Sequence, residues 1–199
     1  MKAAMTVAMC LLSGVAMAQT AQELIDSGRN TANVPTFGMG YRLNQYSPLK
    51  QITPKNIKRL VPVWSASVSN DQGELAQPTI YDGVMYVVNG NGTFAFDVET
   101  GAKIWATPVD YDRAAARVSS AGLNMRGGAT IYNGKLYRET IDCFVIALDM
   151  KTGKEVWRQK FADFKEGYTG IIAPLVANGV IITGMAGGDR TTRGFLKGW

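Results

Sequence analysis

An internal repeat constrains this chain more than any other feature. Phe94-Ala95-Phe96-Asp97-Val98-Glu99-Thr100-Gly101-Ala102-Lys103-Ile104-Trp105 returns as Ile146-Ala147-Leu148-Asp149-Met150-Lys151-Thr152-Gly153-Lys154-Glu155-Val156-Trp157. Before each copy stand two apolar runs about a two-residue joint, Thr79-Ile80-Tyr81-Asp82-Gly83-Val84-Met85-Tyr86-Val87 and Thr130-Ile131-Tyr132-Asn133-Gly134-Lys135-Leu136-Tyr137. A third such joint begins at Pro174-Leu175-Val176-Ala177-Asn178-Gly179-Val180-Ile181-Ile182. Asp-Gly and Asn-Gly accept the positive φ angles of a tight type I′ turn, so each joint predicts a β-hairpin.

Each unit therefore reads strand, tight turn, strand, loop, strand, Thr-Gly turn, strand ending in Trp. Four strands per roughly 40 to 50 residues is the spacing of a propeller blade, and the fold expected is an all-β propeller of four-stranded blades. The residues before each Trp alternate or run β-branched with no 3.6-residue period, which sets aside helical repeats. Asp with Thr-Gly suits the outer hairpin, where glycine supplies backbone freedom and the carboxylate accepts from turn amides. The Trp is placed to cover the seam between neighbouring blades. Trp64, closing Leu60-Val61-Pro62-Val63-Trp64, reads as the outer strand of a blade whose other strands come from elsewhere. The divisions expected are a leader at 1–18, an entry segment at 19–59 and an incomplete propeller of about three blades at 60–199. The stretch Gly194-Phe195-Leu196-Lys197-Gly198-Trp199 falls where the third unit should enter its Asp-x-x-Thr-Gly hairpin. Two complete units and a partial third are fewer than the roughly four to eight blades that close a propeller, so the reading is an amino-terminal piece of a longer protein.

The sequence holds no histidine, which excludes within it Ser-His-Asp triads, Cys-His dyads, HExxH centres and zinc fingers. Its 21 Lys and Arg against 16 Asp and Glu give a net charge of +5 without a basic block, so no nucleic-acid partner is expected. Lys2, the apolar run Ala3 to Val15 and the small-x-small Ala16-Met17-Ala18 before Gln19 form an export signal with cleavage after Ala18. That run is too short for a stable membrane span. The location expected is the periplasm. Cys10 would leave with the leader, and Cys143 would remain as a small buried strand residue, with a reactive thiol as the alternative.

The repeats resemble those of pyrroloquinoline quinone (PQQ) proteins. The segments Asn33-Val34-Pro35-Thr36-Phe37-Gly38, Tyr46-Ser47-Pro48-Leu49-Lys50-Gln51-Ile52-Thr53 and Asn56-Ile57-Lys58-Arg59-Leu60 sharpen the likeness. They resemble the opening of mature PQQ-dependent alcohol dehydrogenases of the methanol/ethanol family. That resemblance implies an eight-bladed propeller with PQQ and a Ca²⁺ or lanthanide ion on its axis. It also implies oxidation of a small alcohol by hydride transfer to metal-bound PQQ, electrons passing to a cytochrome c. The family's catalytic base lies beyond residue 199, so no catalytic residue is expected here, and the remaining carboxy-terminal blades would be a partner.

Site residues follow from the same resemblance. Gly187-Gly188-Asp189 with Arg193-Gly194-Phe195 is similar to the family's G-[GA]-E-x-x-x-R-G-[FY], which makes Asp189 the metal ligand and Gly187 and Gly188 the places where backbone approaches the quinone. Asp189 is one methylene shorter than the usual Glu, and its alternative is a solvated loop carboxylate. Thr140 in Glu139-Thr140-Ile141-Asp142 matches G-T-L-D and would hydrogen-bond the cofactor, with Glu139 crowding the loop where Gly is usual; a plain strand threonine is the alternative. Arg126 in Asn124-Met125-Arg126-Gly127 resembles N-R-G with Met125 inserted, so it serves the quinone if the backbone bulges and points away otherwise. Glu74 in Glu74-Leu75-Ala76-Gln77-Pro78 resembles E-x-x-[PA] with one residue too many, and otherwise is a surface carboxylate. Two departures stand out. Ser119-Ser120-Ala121-Gly122 replaces the family's adjacent cysteines, and Ile171 stands where a Ser or Thr usually meets a PQQ carboxylate. The rival reading is a non-catalytic propeller that binds or scaffolds, or an inactive fragment.

Overall fold

A computed structural model describes residues 19–69, 74–119, 122–190 and 192–199. The expected leader lies outside the described residues. Three antiparallel sheets follow one another along the chain. The first holds β1 (Thr79–Tyr81), β2 (Val84–Val88), β3 (Gly92–Asp97) and β4 (Lys103–Pro108) in spatial order. The second repeats it with β5 (Thr130–Tyr132), β6 (Lys135–Glu139), β7 (Phe144–Asp149) and β8 (Glu155–Lys160). The third has three strands, β9 (Leu175–Ala177), β10 (Val180–Thr183) and β11 (Lys197–Gly198). These are the predicted blades. Each first hairpin turns on two left-handed residues, Asp82 and Gly83, Asn133 and Gly134, Asn178 and Gly179, with φ between 48° and 79°. That is the type I′ geometry whose twist matches the flanking strands.

The second hairpins are fixed by their own side chains. Asp97 Oδ1 accepts from Thr100 N at 2.8 Å and Thr100 Oγ1 at 2.6 Å, and Asp149 Oδ1 does the same with Thr152 at 2.8 Å for both. Those bonds hold both carboxyls below the usual carboxylate range, the Thr hydroxyl being the largest cause in each. The pairing of β3 with β4 and of β7 with β8 even carries a register shift at the same place, Ala95/Phe96 and Ala147/Leu148.

Tryptophans join the units. The Trp64 indole donates to Val98 O at 3.0 Å and the Trp105 indole to Met150 O at 3.0 Å. A Cβ on Gly101 would stand 2.6 Å from the Trp64 ring, and one on Gly153 would stand 2.6 Å from the Trp105 ring. Each Trp thus lies flat on the next Thr-Gly turn, a fit only glycine permits at these left-handed positions. The stretch 60–64 is extended but pairs with no strand among the described residues, so Trp64 docks as the outer-strand Trp should while its own strand stands unpaired.

Blade 2 is covered on both faces. Leu136, Ile146 and Leu148 pack with Tyr86, Val88 and Ala95 of blade 1, whereas Tyr137, Val145 and Ala147 pack with Val176 and Ile181 of blade 3. Strand alternation sends successive side chains to opposite neighbours, which is why β6 and β7 are nearly continuous buried runs.

The entry segment runs across the first strands. Val34 pairs with Ile80, Pro35 O accepts from Ile131 N at 2.8 Å, and the Tyr41 hydroxyl donates to Val176 O. The first strands also neighbour one another, β1 with β5 and β5 with β9, so the sheets splay outward from that edge. Helix α1 (Ala21–Asp26) precedes this segment and opens on a capping box between Thr20 and Glu23. No helix among the described residues is long and apolar enough to cross a membrane.

Candidate functional site

The meander order divides the molecule into two ends. The tight hairpins at 82–83, 133–134 and 178–179 and the Thr-Gly turns lie at one end. The opposite, loop end gathers residues 74–78, 89–91, 109–129, 140–143, 161–174 and 184–196. All six residues singled out from the sequence, Glu74, Arg126, Thr140, Gly187, Gly188 and Asp189, lie at the loop end.

Glycines let those loops approach closely. A Cβ on Gly127 would stand 1.9 Å from Ala173 N, one on Gly128 2.5 Å from Gln77 O, and one on Gly187 2.6 Å from Gly167 O. Segment 124–128 is therefore wedged between 74–78 and 171–173. The bridge between Thr169 and Ala186 ties the 161–174 loop to the 184–196 loop.

Met125, read from the sequence as an extra residue, is turned inward. Its side chain is 2% exposed and joins the core, while Arg126 N and Gly127 N both donate to Ile171 O, at 2.9 and 3.1 Å. Arg126 is left exposed at the loop end. Glu74 is exposed too, and its Oε1 accepts from Asn89 Nδ2 at 3.1 Å. Gly188 has open space where a Cβ would be, and Asp189 is exposed. Among the described residues no three acidic or sulfur side chains converge, at Asp189 or elsewhere.

Thr140 is differently employed. It is 1% exposed, its hydroxyl donates to Asp142 Oδ1 at 2.5 Å and accepts from Phe144 N at 3.1 Å, and it closes the β6–β7 turn. Cys143 lies in that same turn at φ 70°, not in a strand as expected, though it is buried as expected. Burial, with Asp142 and Glu139 nearby, pushes its thiol up to about 12, so it is protonated and unreactive at neutral pH. In the stretch that replaces the family's adjacent cysteines, Ser119 is buried and accepts from the Thr169 hydroxyl at 3.2 Å. Ser120 and Ala121 lie outside the described residues. Ile171 is buried in the core, and the nearby Thr169 hydroxyl is engaged by Ser119 and Ile141 O.

Sequence reading passed over Arg138 and undervalued Glu139. Both are 0% exposed, and they face opposite neighbours. The Arg138 guanidinium donates to Gly92 O at 2.7 Å, Asn89 O at 2.8 Å, Thr93 Oγ1 at 3.1 Å and Glu139 O at 3.0 Å, fastening blade 2 to the loop end of blade 1. Burial pulls it down to about 9, and it remains a cation at neutral pH. Glu139 does not crowd its turn. Its side chain enters the seam toward blade 3, where Oε2 accepts from Ile172 N at 3.3 Å and the Gly184 amide also points at the carboxyl. Gly170 makes the room, since a Cβ there would lie 3.1 Å from Glu139 Cβ. Burial raises the Glu139 carboxyl well above the usual range, and Oε1 has no partner among the described residues. Two consecutive charges closing a strand, directly after the apolar Leu136-Tyr137, were the available signal.

The loop end suits an anionic, planar ligand with a hard cation. It presents the exposed Arg126 guanidinium, the exposed carboxylates of Glu74 and Asp189, and close-packed glycine backbone. Two buried oxygens, Asn124 Oδ1 and Thr192 Oγ1, have no hydrogen-bond partner among the described residues; Asn124 is two positions before Arg126, and Thr192 Oγ1 lies against Gly187.

The comparisons with known proteins agree with this architecture. The family model for the PQQ glucose/ethanol/alcohol dehydrogenase β-propeller domain matches residues 35–198. The quinoprotein alcohol dehydrogenase PedH of Pseudomonas putida is 36% identical over 95% of this chain and 32% of its own length. Subunit 1 of the cytochrome c methanol dehydrogenase of Methylobacterium organophilum is 33% identical over 99% of this chain and 32% of its own length. The solved europium-containing methanol dehydrogenase superposes with a TM-score of 0.82 at 31% identity, covering 89% of this chain and 31% of that one. The chain spans about a third of the length of these relatives. With blades, docked tryptophans and matched residues in agreement, the chain belongs to the PQQ-dependent glucose/ethanol/alcohol dehydrogenase β-propeller family.

Proposed function

We propose that this chain is the amino-terminal part of a periplasmic PQQ-dependent alcohol dehydrogenase that oxidises a small alcohol and passes electrons to a cytochrome c, with residues 1–18 as its leader. The observation that carries the reading is that an exposed Arg126 and an exposed Asp189 both lie at the glycine-packed loop end of the blades. The family membership and the cytochrome-linked relative support it.

When bound, PQQ supplies a quinone that accepts hydride, and a Ca²⁺ or lanthanide ion polarises it. The residues of this chain bind and orient. Arg126 offers a guanidinium to the cofactor's oxygens, in the planar geometry that suits carboxylates. Asp189 offers a hard oxygen to the metal, and the rest of the coordination belongs to residues outside this chain. Gly187 and Gly188 admit backbone close to a flat ring. Glu74, held by Asn89, borders the same end. Thr140 acts through the turn it closes. No residue of this chain is assigned as the proton acceptor.

The test is to express the continuous reading frame through codon 199 and titrate it with PQQ plus Ca²⁺ or a lanthanide. Absorbance reports binding and dye-linked alcohol oxidation reports turnover. Alcohol-dependent turnover establishes the dehydrogenase. A folded protein that neither binds PQQ nor turns over favours a non-catalytic propeller. The satisfied Thr140 hydroxyl and the apolar Ile171 are the observations on that side.

A further inference from the structure

Gln19 follows the expected cleavage point and is anything but a loose end. It is 6% exposed and sits at the hairpin end, beneath the β5–β6 turn. Its side-chain Oε1 accepts from Gly134 N at 2.7 Å, and its main-chain O accepts from Asn133 N at 3.2 Å. Two consecutive turn amides, more than a hundred positions away in sequence, are thus received by the two oxygens of one residue. The Tyr81 hydroxyl lies beside the same side chain. Thr20 then opens α1 through its capping box, which fixes the direction in which the chain leaves Gln19.

We propose that Gln19 is a modification site, and that in the mature protein it is a five-membered lactam, 5-oxoproline. The α-amino nitrogen attacks the side-chain Cδ, forming an N–Cδ bond. The Cδ–Nε2 bond breaks, and Nε2 leaves as ammonia with the proton the amine gives up. No oxidant, reductant or further reactant is needed. The lactam keeps both oxygens that Asn133 and Gly134 use. It also removes the terminal positive charge from a seat nearly closed to water, where an ammonium would have to be desolvated. Ring closure takes place before the end docks, while the amine is still reachable. A neutral, blocked terminus then lines the cleft between blades 1 and 2 together with Tyr86, Trp105 and Met150.

The proposal rests on removal of residues 1–18, and one experiment separates the two. The full reading frame, carrying its own leader, is purified from the periplasm of a bacterial host, and its N-terminal peptide is read by mass spectrometry. The expected peptide begins at residue 19, is one ammonia lighter than the glutamine form, and resists stepwise degradation until pyroglutamyl aminopeptidase is applied. Gln19→Asn, whose shorter side chain cannot close that ring, is expected to carry a free amine. A peptide beginning at Gln19 with a free amine overturns the lactam and leaves cleavage standing. A peptide beginning elsewhere overturns both. Hydrogen exchange at Asn133 and Gly134 tests the seat: exchange at least tenfold faster in Gln19→Ala is expected, and equal exchange overturns the docking.

Discussion

At the hairpin end, blades 1 and 2 are built from the same atoms. Asp97 with Thr100 and Asp149 with Thr152 make the same bonds, and Trp64 and Trp105 rest on Gly101 and Gly153 in the same way. At the loop end the corresponding turns share nothing. Blade 1 turns through Asn89, whose Oδ1 accepts from Asn91 N and Gly92 N, whereas blade 2 turns through Thr140 and Asp142 and buries Arg138 and Glu139 on either side. The hairpin end obeys local turn chemistry and repeats with the sequence. The loop end is set by what neighbouring loops demand, and there the candidate cofactor residues gather.

The sharpest way to break this likeness is at the Trp docks. All variants are best made in the full reading frame. Trp105→Ala is expected to cost about 2–4 kcal/mol, somewhat below the cost of losing a fully buried large aromatic because the ring is only half-buried. Glycine substitutions separate dock from backbone. Gly83 and Gly153 are both left-handed, with φ of 73° and 71°, but a Cβ on Gly83 meets nothing while one on Gly153 strikes the Trp105 ring. Gly83→Ala should therefore cost only the strain of the left-handed region, about 1–2 kcal/mol, and Gly153→Ala clearly more by denaturant titration. Equal costs would mean that the docks contribute nothing beyond turn geometry.

Next in size is Glu139, which has no equivalent in blade 1. Glu139→Ala leaves the Ile172 and Gly184 amides unpaired in a dry seam, for an expected loss of about 1–3 kcal/mol. Its pH dependence has a definite sign. The unfolded chain releases the Glu139 proton near pH 4.3 or so, whereas the buried carboxyl holds it to higher pH. The folded state thus binds more protons above that point, and stability declines as pH rises toward the folded value. Glu139→Gln keeps an acceptor for the amides and removes the titration. Its stability should be flatter above about pH 5 than that of the parent, and the gap should close or reverse as pH rises. An unchanged slope would place the carboxyl in contact with water.

A smaller effect tests the repeat itself. Asp149→Ala removes the acceptor of Lys151 N, Thr152 N and Thr152 Oγ1. Because the turn is largely solvated, the expected cost is about 1 kcal/mol. Since Asp149 ionises below the ordinary range in the folded state, its contribution is present at neutral pH and fades as pH falls through the folded value. Acidification should therefore narrow the difference between Asp149→Ala and its parent.

The same contrast explains what could be read from the sequence. Blades, type I′ turns and Trp seams were legible because Asn-Gly, Asp-x-x-Thr-Gly and the closing Trp act within a few residues or one period. Cys143 misled because its neighbours are strand-like, yet the Asp142 side chain bends the chain just before it. Met125 could not be placed from sequence, since whether it turns inward depends on a carbonyl, that of Ile171, far along the chain. Arg138 and Glu139 were hidden for a related reason. Their partners are loops of blades 1 and 3, and only the stacking of three sheets shows that a charged dipeptide has been sealed between them. Of the candidate site, the loop end was legible as a place. The employment of each side chain was not.

Asp189 should show the smallest structural effect. It is exposed, in the 3-10 turn Gly188–Arg190 beside an open Gly188, and no hydrogen bond or ion pair of its side chain holds the fold among the described residues. Asp189→Ala should therefore leave unfolding within about 0.5 kcal/mol of the parent. If Asp189 holds the metal, the same variant should abolish the Ca²⁺- or lanthanide-dependent part of PQQ binding, read by absorbance, and leave metal-independent association in place. Asp189→Glu supplies the contrary test, because it restores the longer carboxylate arm and should strengthen metal-dependent binding relative to the parent. Stability and metal response would then move independently at the loop end, whereas at Trp105 and Gly153 every change is a change in stability. A variant at Asp189 that lost stability and left the metal response intact would make this aspartate one more structural turn residue, like Asp97 and Asp149 at the other end.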